Sequence, residues 1–297
     1  VCDRLKANPR LKHIPVLFLS AFSETSDKVK AFSAGGQDYV TKPFQPEEVL
    51  TRVNTHLQLS HLREELEAHN AQLEEMVQQK VSQLVDSHIA TIFALAKLTE
   101  SRDDDTGMHI ERTRLFCRKI AEQLAMDKSG DPPITSSFID TLYYTAPLHD
   151  VGKVGIADSI LLKPGRLSPE EFKIMQTHPA IGAKTLGAVS AMYSGNAYIN
   201  MGIEIAHCHH ERWDGSGYPR NLRGTEIPLS ARIMALADVY DALRSRRVYK
   251  PPLSHQEACV LIRQGEGSHF DPAVVAAFFR IHDNLDRLFG TMQDPAG

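Results

Sequence analysis

The sequence is short of several features that would mark its class. Its four cysteines, Cys2, Cys117, Cys208 and Cys259, are scattered through 297 residues with no CxxC pair. That usage fits a reducing compartment, and a cytoplasmic location is expected. Cys208 beside His209 reads as an ordinary buried thiol rather than a ligand. No apolar run approaches about 18 residues, so no transmembrane helix is expected. A charged-then-apolar leader is lacking as well. The chain begins at Val1 rather than Met, which reads as a fragment. A positive excess is also missing. The net charge of −4 argues against a general nucleic-acid binder, and a small anionic ligand would need a local basic patch. What is present is a 42% hydrophobic content, enough for a real core, and 14 histidines that cluster. The length suits one large domain or two ordinary ones.

Residues 1–55 read as α/β. Val16-Leu17-Phe18-Leu19 suits a short buried parallel strand. A helix is expected from about Ser26 to Ala34, stopped by Gly35-Gly36. Asp38-Tyr39-Val40-Thr41 reads as a second strand, and Pro46-Glu47-Glu48 opens a further helix. With Ser20-Ala21 after one strand and Lys42-Pro43-Phe44 after the next, this order resembles the C-terminal half of a response-regulator receiver. The resemblance implies a cis Lys42–Pro43 bond and a phosphate-sensing role for the Ser and Lys. The phosphoacceptor Asp and the first strands are not in the sequence. The expectation is therefore a truncated receiver that cannot be phosphorylated as it stands, with a histidine kinase as partner only if a complete receiver exists upstream.

Residues 56–90 contain no Gly or Pro. Leu59, Leu62, Leu66 and Leu73 keep heptad-like spacing. Val77, Val81, Leu84 and His88 continue it after a four-residue slip, which reads as a stutter. This predicts one helix of about 30 residues or more. A parallel coiled coil, making a homodimer, is one reading; a single helix lying on the next domain is the other. From residue 91 to 297 strand patterns are lacking and the helical apolar faces are continuous. The expected fold class is mainly α: an all-α helical domain behind a long linker helix and a partial α/β fragment.

The chemistry concentrates in a few clusters. His149-Asp150, His209-His210 and Asp238 offer the neutral imidazoles and carboxylates that borderline divalent metals bind. Asp150 has two oxygens and can bridge two cations. Asp105 and His109 are four apart, so on a helix they would share a face. His178 alone would read as structural. His209 and His210 are adjacent and can serve one metal only at a helix end or bend. Together these residues suffice for two octahedral metals with positions left open. His207 lies outside the pattern and is left out.

The segments His149-Asp150-Val151-Gly152-Lys153-Val154-Gly155-Ile156 and His209-His210-Glu211 through Gly217-Tyr218-Pro219 resemble the HD-GYP family, a branch of the HD-type metallophosphohydrolases. The likeness covers about residues 91 to 283. It implies a bacterial phosphodiesterase that cuts cyclic di-GMP to linear pGpG, GMP or both. The implied metal ligands are His109, His149, Asp150, His178, His209, His210 and Asp238. Asp105 stands where three-metal members use a Glu one methylene longer, which leaves a third metal open. Iron or manganese is the implied metal. Lys153, Arg247 and Lys250 are the implied phosphate binders, with Tyr218 and Asp241 lining the substrate site. Asn221 stands where Gly is common. The Gly217-Tyr218-Pro219 loop is expected to shape the pocket, and the resemblance implies a second reading in which it docks diguanylate cyclase domains.

The expected reaction is attack on phosphorus by a hydroxide bridging the metals, with Asp150 and Lys153 as the catalytic pair. Two alternatives stand beside it. One is a catalytically weak cyclic-dinucleotide receptor. The other is a hydrolase of a related ring such as cyclic GMP-AMP.

Overall fold

Short β-branched and aromatic runs bounded by turn residues form the N-terminal strands of this computed structural model. It describes residues 1–21, 25–102, 108–127, 133–192, 195–245 and 251–292, with the side chains of His88 and Met192 left aside. The chain divides into two units, Val1–Val85 and Asp86–Gly297.

In the first unit, α1 (Cys2–Ala7) precedes β1 (Leu17–Ser20), α2 (Thr25–Ser33) and β2 (Asp38–Thr41). The strands pair in parallel, with Leu17 opposite Asp38 and Ser20 opposite Thr41. Gly35 ends the α2 segment at φ 88°, a conformation that suits glycine. The Lys42–Pro43 bond is cis. Asp38 then anchors the next helix: Arg52 Nη1 lies 2.9 Å and His56 Nε2 3.2 Å from its carboxylate.

That helix, α3 (Pro46–Glu100), runs without a break for 55 residues. It begins ten residues before the Gly/Pro-free segment and ends ten after it, because Pro46 fits a first helical turn and nothing interrupts the chain until Ser101. Leu59, Leu62, Leu66, Val77, Val81 and Leu84 are all about half exposed. Among the described residues no helix is long and apolar enough to cross a membrane.

The second unit is helical throughout: α4 (His109–Met126), α5 (Ser136–Thr145), α6 (Asp158–Leu161), α7 (Pro169–Met175), α8 (His178–Met192), α9 (Ala197–Cys208), α10 (Leu229–Arg244), α11 (His255–Gln264) and α12 (Pro272–Thr291). Among the described residues three 3-10 turns interrupt them, at Ala146–Leu148, Val151–Gly155 and Gly224–Glu226. Helix α4 buries Phe116, Cys117, Ile120, Ala121 and Leu124, a spacing of three and four that places one apolar stripe inward. Against it pack Leu142 of α5, Ile205 of α9, Met234 and Tyr240 of α10, and Phe278 of α12. At about 25 cal/mol per Å², side chains of this size contribute about 1.5–3 kcal/mol each on full burial. The core therefore fixes the ends of α4, α9 and α10, and these ends carry the site.

Helix starts follow local sequence. Thr135 caps α5 and Ser168 forms a capping box on α7. Asp271 caps α12 through Ala273 N at 2.8 Å and also receives Arg232 Nη1 at 2.6 Å. The Asp271-Pro272 pair is thus a helix start, as its sequence suggests.

Candidate metal centre

Histidine 109 opens α4, and its Nδ1 lies 2.8 Å from Asp241 Oδ2. The carboxylate accepts, so Nδ1 carries the proton and Nε2 points away with its lone pair. His149 follows the 3-10 turn Ala146–Leu148 and donates Nδ1–H to Ala146 O at 3.0 Å. Pro147 lies inside that turn, and the His-Asp pair sits between it and the 3-10 turn Val151–Gly155 rather than on an α-helix. His178, first in α8, donates to Met175 O at 2.8 Å. His209 caps the C-terminus of α9 and donates to Ile205 O at 3.0 Å. A carbonyl can only accept, so three of these tautomers are fixed by main-chain carbonyls and the fourth by a carboxylate.

The consequence is electrostatic. Unprotonated Nε2 atoms of His109 and His149 face each other at 3.4 Å, and those of His178 and His209 do the same at 3.4 Å. Asp150 lies between the pairs. Its Oδ2 is 3.2 Å from His149 Nε2, and its Oδ1 is 3.2 Å from His178 Nε2 and 3.7 Å from His209 Nε2. Asp238 Oδ1 approaches His109 Nε2 at 3.7 Å. A shared cation would satisfy acceptors that face one another at these distances. Nitrogen ligands about 2.1 Å from one ion sit about 3.0–3.4 Å apart, depending on the bond angle. The donor atoms fall into two groups: His109, His149 and Asp238, and Asp150, His178, His209 and His210. The residues present fit a pair of divalent ions, which these two groups would hold with Asp150 between them.

The protonation states of Asp150, His209 and His210 suit cation binding. Burial opposes ionisation of Asp150, but Lys153, His149 and His178 outweigh it and hold the carboxyl well below its ordinary range. Burial lowers His209 despite the nearby Asp150, and burial with the His209 and His178 rings lowers His210 further. Neutral imidazole is the ligand form. His149 alone is raised: burial lowers it, but Asp150 and Asp238 overcome that.

The support behind the ligands is dense. Asp241 is 1% exposed, with Arg112 Nε 2.5 Å from Oδ1 and Arg112 Nη2 3.0 Å from Oδ2. Gly152 packs so closely on α8 that a Cβ there would lie 1.9 Å from His178 O and 2.5 Å from Gly182 N. This contact ties the His149-Asp150 turn to His178. Glu211, 2% exposed, accepts Arg220 N at 2.7 Å and Leu222 N at 3.0 Å and so pins the loop after His210. Gly217 passes over that backbone, where a Cβ would meet Arg212 N at 2.3 Å. Asn221 adopts φ 56° and donates Nδ2–H to Gly217 O at 2.5 Å. Asparagine tolerates this left-handed geometry, so the loop keeps its turn without a glycine. Tyr218 lies over His210, ring centroids 4.8 Å apart, and burial pushes its phenol pKa up. Last, a cleft bordered by His109, His149, Asp150 and Lys153 is walled by Ala96, Thr99 and Glu100 at the end of α3.

A family model described as the HD domain matches residues 94–274, and one for the response regulator receiver domain matches residues 1–54. The chain belongs to the HD-domain family, in its HD-GYP branch. This HD-domain chain is 47% identical over 286 residues to a probable cyclic di-GMP phosphodiesterase of Vibrio cholerae, covering 96% of the chain and 65% of that relative. It is 50% identical over 205 residues to a cyclic di-GMP phosphodiesterase of the same organism, covering 69% and 42%. A cyclic di-GMP phosphodiesterase response regulator, RpfG, of Xanthomonas campestris is 35% identical over 287 residues, covering 97% and 72%. The chain spans less than two thirds of the length of the first two.

Seven of the eight sequence-nominated metal ligands come together in the HD domain. Asp105 lies outside the described residues, as do Arg247 and Lys250. Lys153 is at the site, its Nζ 2.8 Å from Asp150 Oδ2. Asp241, expected at the substrate site, is enclosed behind His109 and engaged by Arg112. His207 belongs to neither group, and burial lowers its pKa. Sequence reasoning missed Arg112 and Glu211. The signal for Arg112 was an arginine three residues after His109 on an otherwise apolar helix face.

Proposed function

We propose that this protein is a metal-dependent phosphodiesterase that opens cyclic di-GMP to linear pGpG, with GMP as the product of a second cut. One observation supports this above the rest: Asp150 offers one oxygen to each of two convergent imidazole groups. The names of the relatives supply the substrate class. His109, His149 and Asp238 would hold one ion and His178, His209 and His210 the other, with Asp150 shared. Iron or manganese is the expected identity, and Asp105 keeps a third ion open. Two bound divalent ions supply an acidified water near neutral pH and positive charge at the phosphoryl oxygens.

The chain's own groups do the rest. Asp150 is held anionic by Lys153, so it would be available to both ions without first losing a proton. Lys153 puts a second positive charge beside the cleft, where it offsets charge developing on a phosphate. Tyr218, kept protonated by burial, offers a donor over His210. Arg247 and Lys250 are the candidate clamps for the second phosphate. Water adds its oxygen to phosphorus and the ribose 3′ oxygen leaves with the proton.

The half-exposed leucine and valine stripe along α3 supports a homodimer through residues 56–90. The Gly217-Tyr218-Pro219 loop is the proposed contact for diguanylate cyclase domains. A histidine kinase would act through a receiver completed upstream.

The test pairs elemental analysis with a product assay on cyclic di-GMP and cyclic GMP-AMP, for the wild type and Asp150→Ala. The expectation is about two metals and pGpG formation, both lost in the variant. Metal-loaded Asp150→Ala that still turns over would sink the assignment. Tight binding without turnover by the metal-loaded wild type would favour a receptor, and faster turnover of cyclic GMP-AMP would favour the related ring.

A further inference from the structure

A second ligand set lies away from the His/Asp centre. Ser254 caps α11 with a capping box, Glu257 N to Ser254 Oγ at 3.3 Å and Ser254 N to Glu257 Oε2 at 2.8 Å. The helix register is therefore fixed from its first residue, His255. Cys259 follows by four and shares its face. Helix α12 brings His282 opposite. Cys259 Sγ is 3.6 Å from His255 Nε2, and that nitrogen is 2.9 Å from His282 Nδ1. The two imidazoles stack with centroids 5.2 Å apart at 19°. One nitrogen or sulfur from each of the three residues lies within 4.8 Å of the others.

The remaining groups behave as an outer layer. His255 Nδ1 lies 2.9 Å from Tyr240 Oη, which also accepts from Arg244 Nη1 at 3.2 Å. A hydrogen bond at Nδ1 that leaves Nε2 for an ion is the usual arrangement behind a coordinating histidine. Asp286 approaches His255 at 4.0 Å but is engaged by Arg244 at 2.6 Å, so the three-residue set stands without it. Around zinc, bonds of about 2.3 Å to sulfur and 2.0–2.1 Å to nitrogen place S···N about 3.5 Å and N···N about 3.4 Å apart at tetrahedral angles. The sulfur spacing to His255 is met. The nitrogen spacing needs His282 to shift by about half an ångström; its side chain is 32% exposed, and its Nδ1 also lies 3.4 Å from the exposed Asp283 carboxylate.

We propose that His255, Cys259 and His282 form a separate site for a borderline-soft divalent ion of the zinc type, which clips α11 to α12. Mixed imidazole and thiolate ligation selects such an ion, whereas the carboxylate-bearing centre admits harder ones. Binding releases the Cys259 thiol proton to solvent. The site touches α10 through Tyr240, the same helix that carries Asp238 and Asp241 on its way to the first centre. It stands independently of the phosphodiesterase reading.

The test uses the whole chain, stripped of metal and titrated with Co²⁺ and then Zn²⁺, as wild type, Cys259→Ser and His282→Ala. The wild type should take up one equivalent more than either variant. Its cobalt form should show a thiolate-to-cobalt charge-transfer band that both variants lack, since the His/Asp centre contains no cysteine. Zinc should raise the melting temperature of the wild type by more than that of either variant. Equal stoichiometry in all three proteins, or a band that persists in Cys259→Ser, would overturn the proposal. The metal-free melting temperatures of the two variants check that each is folded.

Discussion

Replacing Gly152 by alanine should separate the two halves of the metal centre. The added Cβ would lie 1.9 Å from His178 O and 2.5 Å from Gly182 N, both main-chain atoms that no rotamer change can move. Side-chain carbons are not found within about 3.0 Å of such atoms, so the His149-Asp150 turn and α8 must part by about 1 Å. Overpacking of this kind costs about 1–3 kcal/mol, and more where backbone must shift. For a unit of this size that lowers the melting temperature by about 2–12 °C. The chemical effect is larger. Asp150 and His178 would lose their 3.2 Å relation, and a misplacement of about 1 Å can cost 100-fold in rate. The assay is turnover of cyclic di-GMP with metal content and a thermal melt on the same sample. Gly187→Ala is the control: it lies on the same helix α8, a Cβ there meets nothing within 4 Å, and it should leave activity unchanged and raise stability by about 0.5–1 kcal/mol. Wild-type metal content, rate and melting temperature in Gly152→Ala would refute the packing argument.

Asp241→Asn should lower metal affinity or activity by about 10- to 100-fold through loss of His109 orientation. It should also cost about 3–5 kcal/mol, because Arg112, 0% exposed, keeps a buried charge without its counterion; normal metal retention and stability would count against that role. Glu211→Ala leaves the main-chain N–H groups of Arg220 and Leu222 without their acceptor, at about 1 kcal/mol each. Its loop should loosen, and a melt unchanged from wild type would contradict the pinning. The metal-free protein should lose stability as pH falls below about 6.5. His209 and His210 have folded pKa values below their unfolded ones, so the unfolded chain binds protons first, and the loss continues until the folded values are passed. Urea titrations of His210→Gln should show a shallower slope with pH in that window, and an identical slope would refute the assignment.

Much of this was legible in the sequence because the signals are local. The β1 and β2 runs, the Gly35 stop, the cap at Asp271 and the Gly/Pro-free course of α3 each depend on neighbours within a few residues. The ligand residue types were legible too, since adjacent His-Asp and His-His pairs have little use on an ordinary helix surface. The contacts of Asp241 were not legible from the chain, where its substrate-site role was only what the resemblance implies. Burial against Arg112, which is 129 residues away in sequence, decides which way it works. The His255, Cys259 and His282 set was invisible for the same reason: two helices bring it together.

By itself, then, the sequence determined that this chain is mainly helical and carries metal-binding chemistry on paired motifs. Residue type and spacing fix those properties. Only the tertiary structure decided that Asp150 stands between two groups of imidazoles whose proton positions are set by main-chain carbonyls and one buried carboxylate. That arrangement depends on the apolar core holding the ends of α4, α9 and α10 in one place, and on Gly152 letting two backbones touch.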